Sequence, residues 1–215
     1  MAKSIGIAIA AIMAVTASAH AAPAKTIPPK DECLAIDGYF ELRQNFEGIL
    51  KRRDAKALSA MIAPTISWSF GGEGGKDAFL KNWKLETGKA SPIWAELDQI
   101  VRLGCFSQGP DNPTMPHFFG QDTGAESPGN AALVLGPAVN LRAQPNTSSA
   151  SLRKINWEVV TSVEASADGL WTKVKTADGK TGFIRKDYLR ADLDYRIGFE
   201  RKDKGWVVSF FIAGD

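Results

Sequence analysis

The hydrophobic rhythm of the chain changes twice. Between residues 37 and 63 apolar positions recur at three- and four-residue steps: Leu42, Phe46, Ile49 and Leu50, then Leu58, Met61 and Ile62. That spacing gathers them on one helical face, so two helices are predicted, with Asp37 and Asp54 as N-caps and Pro64 ending the second. Residues 65–70, TISWSF, switch to alternation, with Ile66, Trp68 and Phe70 facing one way, as in a half-buried strand. GGEGG breaks that strand, and Phe79, Leu80 and Trp83 predict a short third helix. A fourth is marked by Ser91 as N-cap, Pro92 at the first helical position and the stripe Ile93, Trp94, Leu97, Ile100 and Val101. Gly104 is its expected stop.

Residues 106–130 lose this order. Four prolines and four glycines between Gln108 and Gly129 predict a loop, in which His117-Phe118-Phe119 makes a short apolar contact. From Leu133 onward the pattern is β: short alternating runs separated by the turn pairs Asp168-Gly169, Asp178-Gly179 and Lys204-Gly205. The tail, residues 195–215, alternates Tyr195, Ile197 and Phe199, then Trp206, Val208, Phe210 and Ile212, with Val207, Phe211 and Ala213 on the opposite face. An exposed edge of such composition is a pairing hazard, which argues for central strands. The tail is therefore expected to join Ile66–Phe70, leaving the β segment between them as an inserted unit. The fold class expected is α+β: a helical, curved-sheet N-terminal domain interrupted by a small all-β barrel.

Composition adds a compartment. Residues 1–22, MAKSIGIAIAAIMAVTASAHAA, carry Lys3, the uncharged run Ile5–Val15 and small residues at A-x-A spacing, the pattern of a cleaved signal peptide with the cut after Ala19 or Ala21. The run is shorter than the roughly 20 residues a membrane span needs. The expected organisation is a signal peptide at 1–21, a linker at 22–36, an α+β domain at 37–130 plus 192–215, and the barrel at 131–191. A periplasmic or secreted location follows. Without Lys3 the chain has 25 basic and 24 acidic residues, which speaks against nucleic acid as a partner. Cys33 and Cys105 are the two cysteines, and in an exported chain they point to a disulfide, with two buried thiols as the alternative.

Within the β segment, Asn140-Leu141-Arg142-Ala143 with Pro145, Trp171 through Val174, Asp178-Gly179, Gly182-Phe183-Ile184 and Tyr188-Leu189 appear in a fixed order. Residues 133–191 thereby resemble the bacterial Src-homology-3 (SH3) domain, with one departure. Where the family has a glycine-containing turn this chain has Ile155-Asn156-Trp157-Glu158, with Asn156 expected in the left-handed conformation. The resemblance implies a small barrel that binds cell-wall peptide, peptidoglycan or a periplasmic protein partner. Candidate contacts are Trp157, Trp171 and Tyr188, although aromatics in so small a barrel usually pack inside, and Trp171 is expected in the core. More loosely, residues 37–105 together with 192–215 are similar to nuclear transport factor 2-like domains, on the motif Asp54-x-x-x-Leu58, Pro64, an aromatic strand and a glycine turn. That likeness implies an apolar cone that could serve a small-ligand carrier or an enzyme.

No catalytic constellation emerges. His20 and His117 are the two histidines, too few for a zinc site of three or four donors, so neither metal nor cofactor is expected. No G-x-S-x-G elbow occurs, and GGEGG lacks the Lys-Ser/Thr of a phosphate loop. The expectation is a non-catalytic binding or scaffolding protein. The oligomeric state stays open.

Overall fold

Helical periodicity in the N-terminal segment becomes two helices, α1 (Tyr39–Arg52) and α2 (Ala55–Met61), whose buried faces carry Leu42, Phe46, Ile49, Leu50 and Leu58. These coordinates are a computed structural model that describes residues 23–69, 75–107, 109–125, 128–203 and 205–214. The expected leader, Phe70, most of the glycine turn and Lys204 lie outside the described residues. Asp54 caps α2 as expected, accepting from the Ala57 N–H at 3.0 Å. Asp37 does not cap α1: Gly38, at φ +69°, takes that place, and Asp37 pairs with Arg201 instead. Pro64 does not end α2 either. The helix closes at Met61, and Pro64 sits inside the strand that follows, at the edge of its sheet where a proline costs no ladder bond.

Before α1 runs a short strand, β1 (Lys30–Asp31), and after α2 come β2 (Ile62–Trp68), α3 (Gly75–Asn82) and α4 (Ile93–Arg102). The Ser91 hydroxyl accepts from the Ile93 N–H at 3.4 Å, in the capping role the sequence assigned to it. Residues 106–130 are more ordered than their composition predicts. They continue β3 (Gly104–Ser107), form β4 (Pro113–Met115) and wind a 3-10 turn, His117–Gly120, that buries His117 and Phe118. The β segment supplies β5 (Ala131–Val134), β6 (Val139–Arg142), β7 (Ser151–Ile155), β8 (Val159–Ala165), β9 (Trp171–Lys175), β10 (Thr181–Arg185) and β11 (Leu189–Ala191), and the tail supplies β12 (Arg196–Lys202) and β13 (Gly205–Ile212).

Two sheets result. One has the order β1-β3-β4-β12-β13-β2, the other β11-β5-β8-β9-β10-β6-β7. In the first, β12 pairs antiparallel with β4 and β13 pairs parallel with β2, with Phe211 opposite Trp68. A bulge at Ser209, between the pairs Gly198↔Phe210 and Phe199↔Val208, revises the faces read from alternation. Val208 and Phe211 both point to the helices with Ile197 and Phe199, whereas Phe210 turns outward and is half-buried. Its ring lies over Gly198, where a Cβ would come within 2.0 Å of it. The four helices cover the inner face, and Phe46 meets Phe199 edge-on at 5.1 Å.

The segment expected as a linker is held at several points. Thr26 bridges Glu158 on the barrel, and the Ile27 N–H donates to the Trp157 carbonyl at 2.8 Å. Further on, β1 pairs parallel with β3, and Cys33 is disulfide-bonded to Cys105. Asp31 accepts from Tyr39 at 2.9 Å and pairs with Arg43 at 2.5 Å. Burial pushes the Tyr39 hydroxyl pKa up, which keeps it a donor. Residues 25–33 thus strap the barrel to the helical unit. Arg190 ties the same junction from the other side: only 1% exposed, it reaches Gln99 and Glu96 on α4, at 2.9 and 3.0 Å.

Gly104 is where the strap comes closest. At φ +79°, its position would put a Cβ 2.0 Å from the Lys30 carbonyl oxygen. Gly104→Ala is expected to cost at least about 2 kcal/mol by denaturant unfolding, the sum of a left-handed penalty and a displaced β1. A midpoint within error of the parent chain would show that β1 contributes nothing there.

Candidate ligand-binding cleft

Alternation along three barrel strands builds the site. In β6, Val139 and Leu141 are buried in the barrel while Asn140 and Arg142 turn outward; in β10, Gly182 and Ile184 face in, Phe183 and Arg185 out. Trp171 lies directly across from Arg185, and Arg142 across from Phe183. Cross-strand partners share a face, so Trp171 stands on the outer side. Even so its side chain is buried, in keeping with the expected packed role. Trp171 is absent from the cluster that fills the barrel (Val134, Leu141, Ile155, Val174, Ile184 and their neighbours), although it is only 7% exposed.

Trp171 forms one side of a cleft of about 270 Å³ with Tyr188, Arg142, Arg185, Asn140 and Thr147, closed along another side by Pro137–Val139. Tyr188 ends the 3-10 turn Lys186–Tyr188, whose backbone is fixed by the Leu135 N–H donating to the Tyr188 carbonyl at 2.8 Å, while its ring is 48% exposed. Arg142 donates to the Ser149 carbonyl at 2.7 Å, which ties the guanidinium to the loop between β6 and β7. Arg185 pairs with Asp187 at 2.6 Å at the exposed rim. Asn140 accepts from the Ser151 hydroxyl through Oδ1, so its amide nitrogen is left to donate.

Of the three aromatic candidates, the structure brings Trp171 and Tyr188 together and puts Trp157 elsewhere. Trp157, not Asn156, takes the left-handed turn, at φ +50°, while Asn156 Oδ1 accepts from the Ala138 N–H at 2.7 Å. The Trp157 ring, half-buried, packs with Ile27, Phe118 and Leu133 at the seam between barrel and helical unit. That apolar contact offsets the strain a glycine would have avoided. Arg142 and Arg185 were not singled out from the sequence. Their signal was the outward register of N-L-R and G-F-I-R, legible once strand faces are assigned.

Larger depressions exist but carry less chemistry. The one beside Glu32, Asp37 and Asp111, about 600 Å³, is wide open, and its Arg201 already pairs with both aspartates. Trp68 and Trp83, which would line an apolar cone, instead meet packed rings: Trp83 lies 5.1 Å from Tyr195 and 5.2 Å from Phe211, and Trp68 lies 6.2 Å from Phe79. His117 is buried with Nε2 3.3 Å from Glu32, away from the cleft. Among the described residues, the one group with metal-ligand spacing is Asp31, Cys33 and Cys105, whose sulfurs are spent on the disulfide. No described helix is long and apolar enough to cross a membrane.

Comparison with known families falls on the unit that carries the cleft. No curated protein matches the chain. The family match does not reach 37–105 or 192–215, where the likeness to nuclear transport factor 2-like domains rests on sequence pattern alone. Residues 137–190, about a quarter of the chain, match the family described as the bacterial SH3 domain, and the barrel is a domain of that kind.

Proposed function

We propose that this is an exported, non-catalytic binding protein whose SH3 domain holds a peptide of the cell wall in the cleft between Trp171 and Tyr188. The observation that carries this is the cleft itself, where the exposed Tyr188 and two guanidinium groups meet on one outer barrel face beside the buried Trp171. Tyrosine and arginine at a surface are residue types that dominate binding energy when a ligand covers them. A periplasmic or secreted setting is supported by the leader pattern of residues 1–22 and by the Cys33–Cys105 bond. The small-ligand alternative loses support from the aromatic packing around Trp68 and Trp83.

We further propose that the SH3 domain, residues 131–191, is a guest within a host made of 37–130 and 192–215. The pairing of β12 with β4 and of β13 with β2 supports this organisation. The strap and Arg190 supply the contacts by which the host would hold the guest.

Co-sedimentation of residues 22–215 with purified peptidoglycan tests the binding role. Tyr188→Ala is expected to weaken retention about tenfold or more, equivalent to about 1.4 kcal/mol. Trp157→Ala is expected to lower thermal stability and leave retention intact. Full retention by Tyr188→Ala, or loss confined to Trp157→Ala, would move the contact away from the cleft. Retention on a protein partner in place of the wall would leave the cleft standing and change the ligand class.

A further inference from the structure

We infer that the cleft recognises the carboxylate end of a peptide, with Arg142 and Arg185 as the carboxylate-binding pair. This rests on the binding role proposed above and narrows it to one chemistry.

Charge distribution is the first support. Residues 137–190 contain nine Lys and Arg against five Asp and Glu, a net of +4, whereas the whole chain carries only +2. The excess is therefore concentrated in this domain, and no acidic residue lines the cleft. Its one acidic neighbour, Asp187, pairs with Arg185 across a rim where the two side chains are 66% and 51% exposed. An exposed pair of this kind is worth little, so an incoming carboxylate displaces Asp187 at small cost. Guanidinium groups bind carboxylates through two parallel N–H donors, and Arg142 commits only Nη1 to the Ser149 carbonyl.

Size and layout give the second. At about 270 Å³ the cleft falls just below the range of roughly 300–1,000 Å³ typical of sites that enclose a whole small molecule. It admits the end of a chain, and the end of a peptide is where a free carboxylate sits. The Asn140 amide nitrogen is placed to donate to a peptide carbonyl, and the exposed Tyr188 ring offers flat apolar surface to the last side chains, with Trp171 in the cleft wall beside it. A neutral glycan would use the rings and offer neither guanidinium a negative charge.

The test titrates residues 22–215 with acetyl-L-Lys-D-Ala-D-Ala as the free acid and as the C-terminal amide, followed by amide NMR shifts, with peptidoglycan co-sedimentation run alongside. The acid is expected to bind at least about tenfold tighter than the amide, with shifts at Asn140, Trp171 and Arg185. Arg185→Gln, at an exposed position, and Arg142→Gln are each expected to reduce that preference. Retention on peptidoglycan with equal binding of acid and amide, or with an acid preference untouched by both substitutions, would overturn the carboxylate assignment and leave the binding role in place. Failure of both peptide and peptidoglycan to bind would overturn both.

Discussion

Deleting residues 192–215 is expected to abolish the cooperative unfolding of the helical unit. The two strands removed, β12 and β13, occupy the middle of the six-stranded sheet, and β13 is the strand on which β2 pairs. They bring Ile197, Phe199, Val208 and Phe211 to the core, each at most 1% exposed. A single Phe→Ala change at such a position costs about 3–5 kcal/mol, and a whole domain is stable by only about 5–15 kcal/mol. Losing four core side chains and two central strands exceeds that margin. Phe199→Ala alone, which removes the edge-on contact with Phe46, is expected to cost about 3–5 kcal/mol. Near-ultraviolet circular dichroism and hydrogen exchange measure both. Protected amides in α1 and α4 of the truncated chain would show that the helical unit does not depend on the tail.

The second large effect is expected at the disulfide. Cys33 and Cys105 are separated by 72 residues, and closing a loop of that length stabilises by roughly 4 kcal/mol in the chain-entropy model. Both residues are 0% exposed and belong to the core beneath the helices, so Cys33→Ser with Cys105→Ser also buries two hydroxyls in apolar surroundings. The double variant is expected to lose at least about 4 kcal/mol in guanidinium unfolding, and reductant is expected to have no further effect on it. Part of the loss is local to the strap. Asp31 still holds Tyr39 and Arg43, but the covalent tie that keeps β1 against β3 is gone. Faster hydrogen exchange at Ile27, whose N–H donates to the Trp157 carbonyl, would report that loosening at the seam. A double variant as stable as the parent chain would show that strap and host hold without the bond.

Legibility in the sequence followed the range of the interaction. The four helices, the Asp54 and Ser91 caps and the SH3-domain motif were readable because each depends on neighbours within a few residues. Periodicity, a capping oxygen three positions ahead, or a turn pair states its own geometry. The turn aspartates show the same locality: the Ser166 hydroxyl and the Leu170 N–H hold Asp168 below its ordinary carboxylate range, just as Thr176 does for Asp178. Among the readings that failed are some in which a distant group displaced a local one. Asp37 left its capping role for Arg201, 164 residues away, and Gly38 supplied the left-handed residue in its stead.

The cleft divides in the same way. Its residue types were partly named in advance, since Trp171 and Tyr188 belong to the SH3 motif. The face that Trp171 shows was not, because a one-residue difference in strand register decides whether it turns to the barrel interior or to the side of Arg185. Trp157 was indistinguishable from them by type. Only the approach of Ile27 and Phe118 from segments outside the barrel, beside Leu133 of β5, gives its ring a packing role at the seam. The bulge at Ser209 likewise reversed the face of Phe210, because an extra residue in one strand is invisible until its partner is known. Sequence alone determined the local elements, the SH3 motif and the cysteine pair. Tertiary structure alone decided which faces they show, since a side chain's surroundings are set by strands and straps that arrive from elsewhere in the chain.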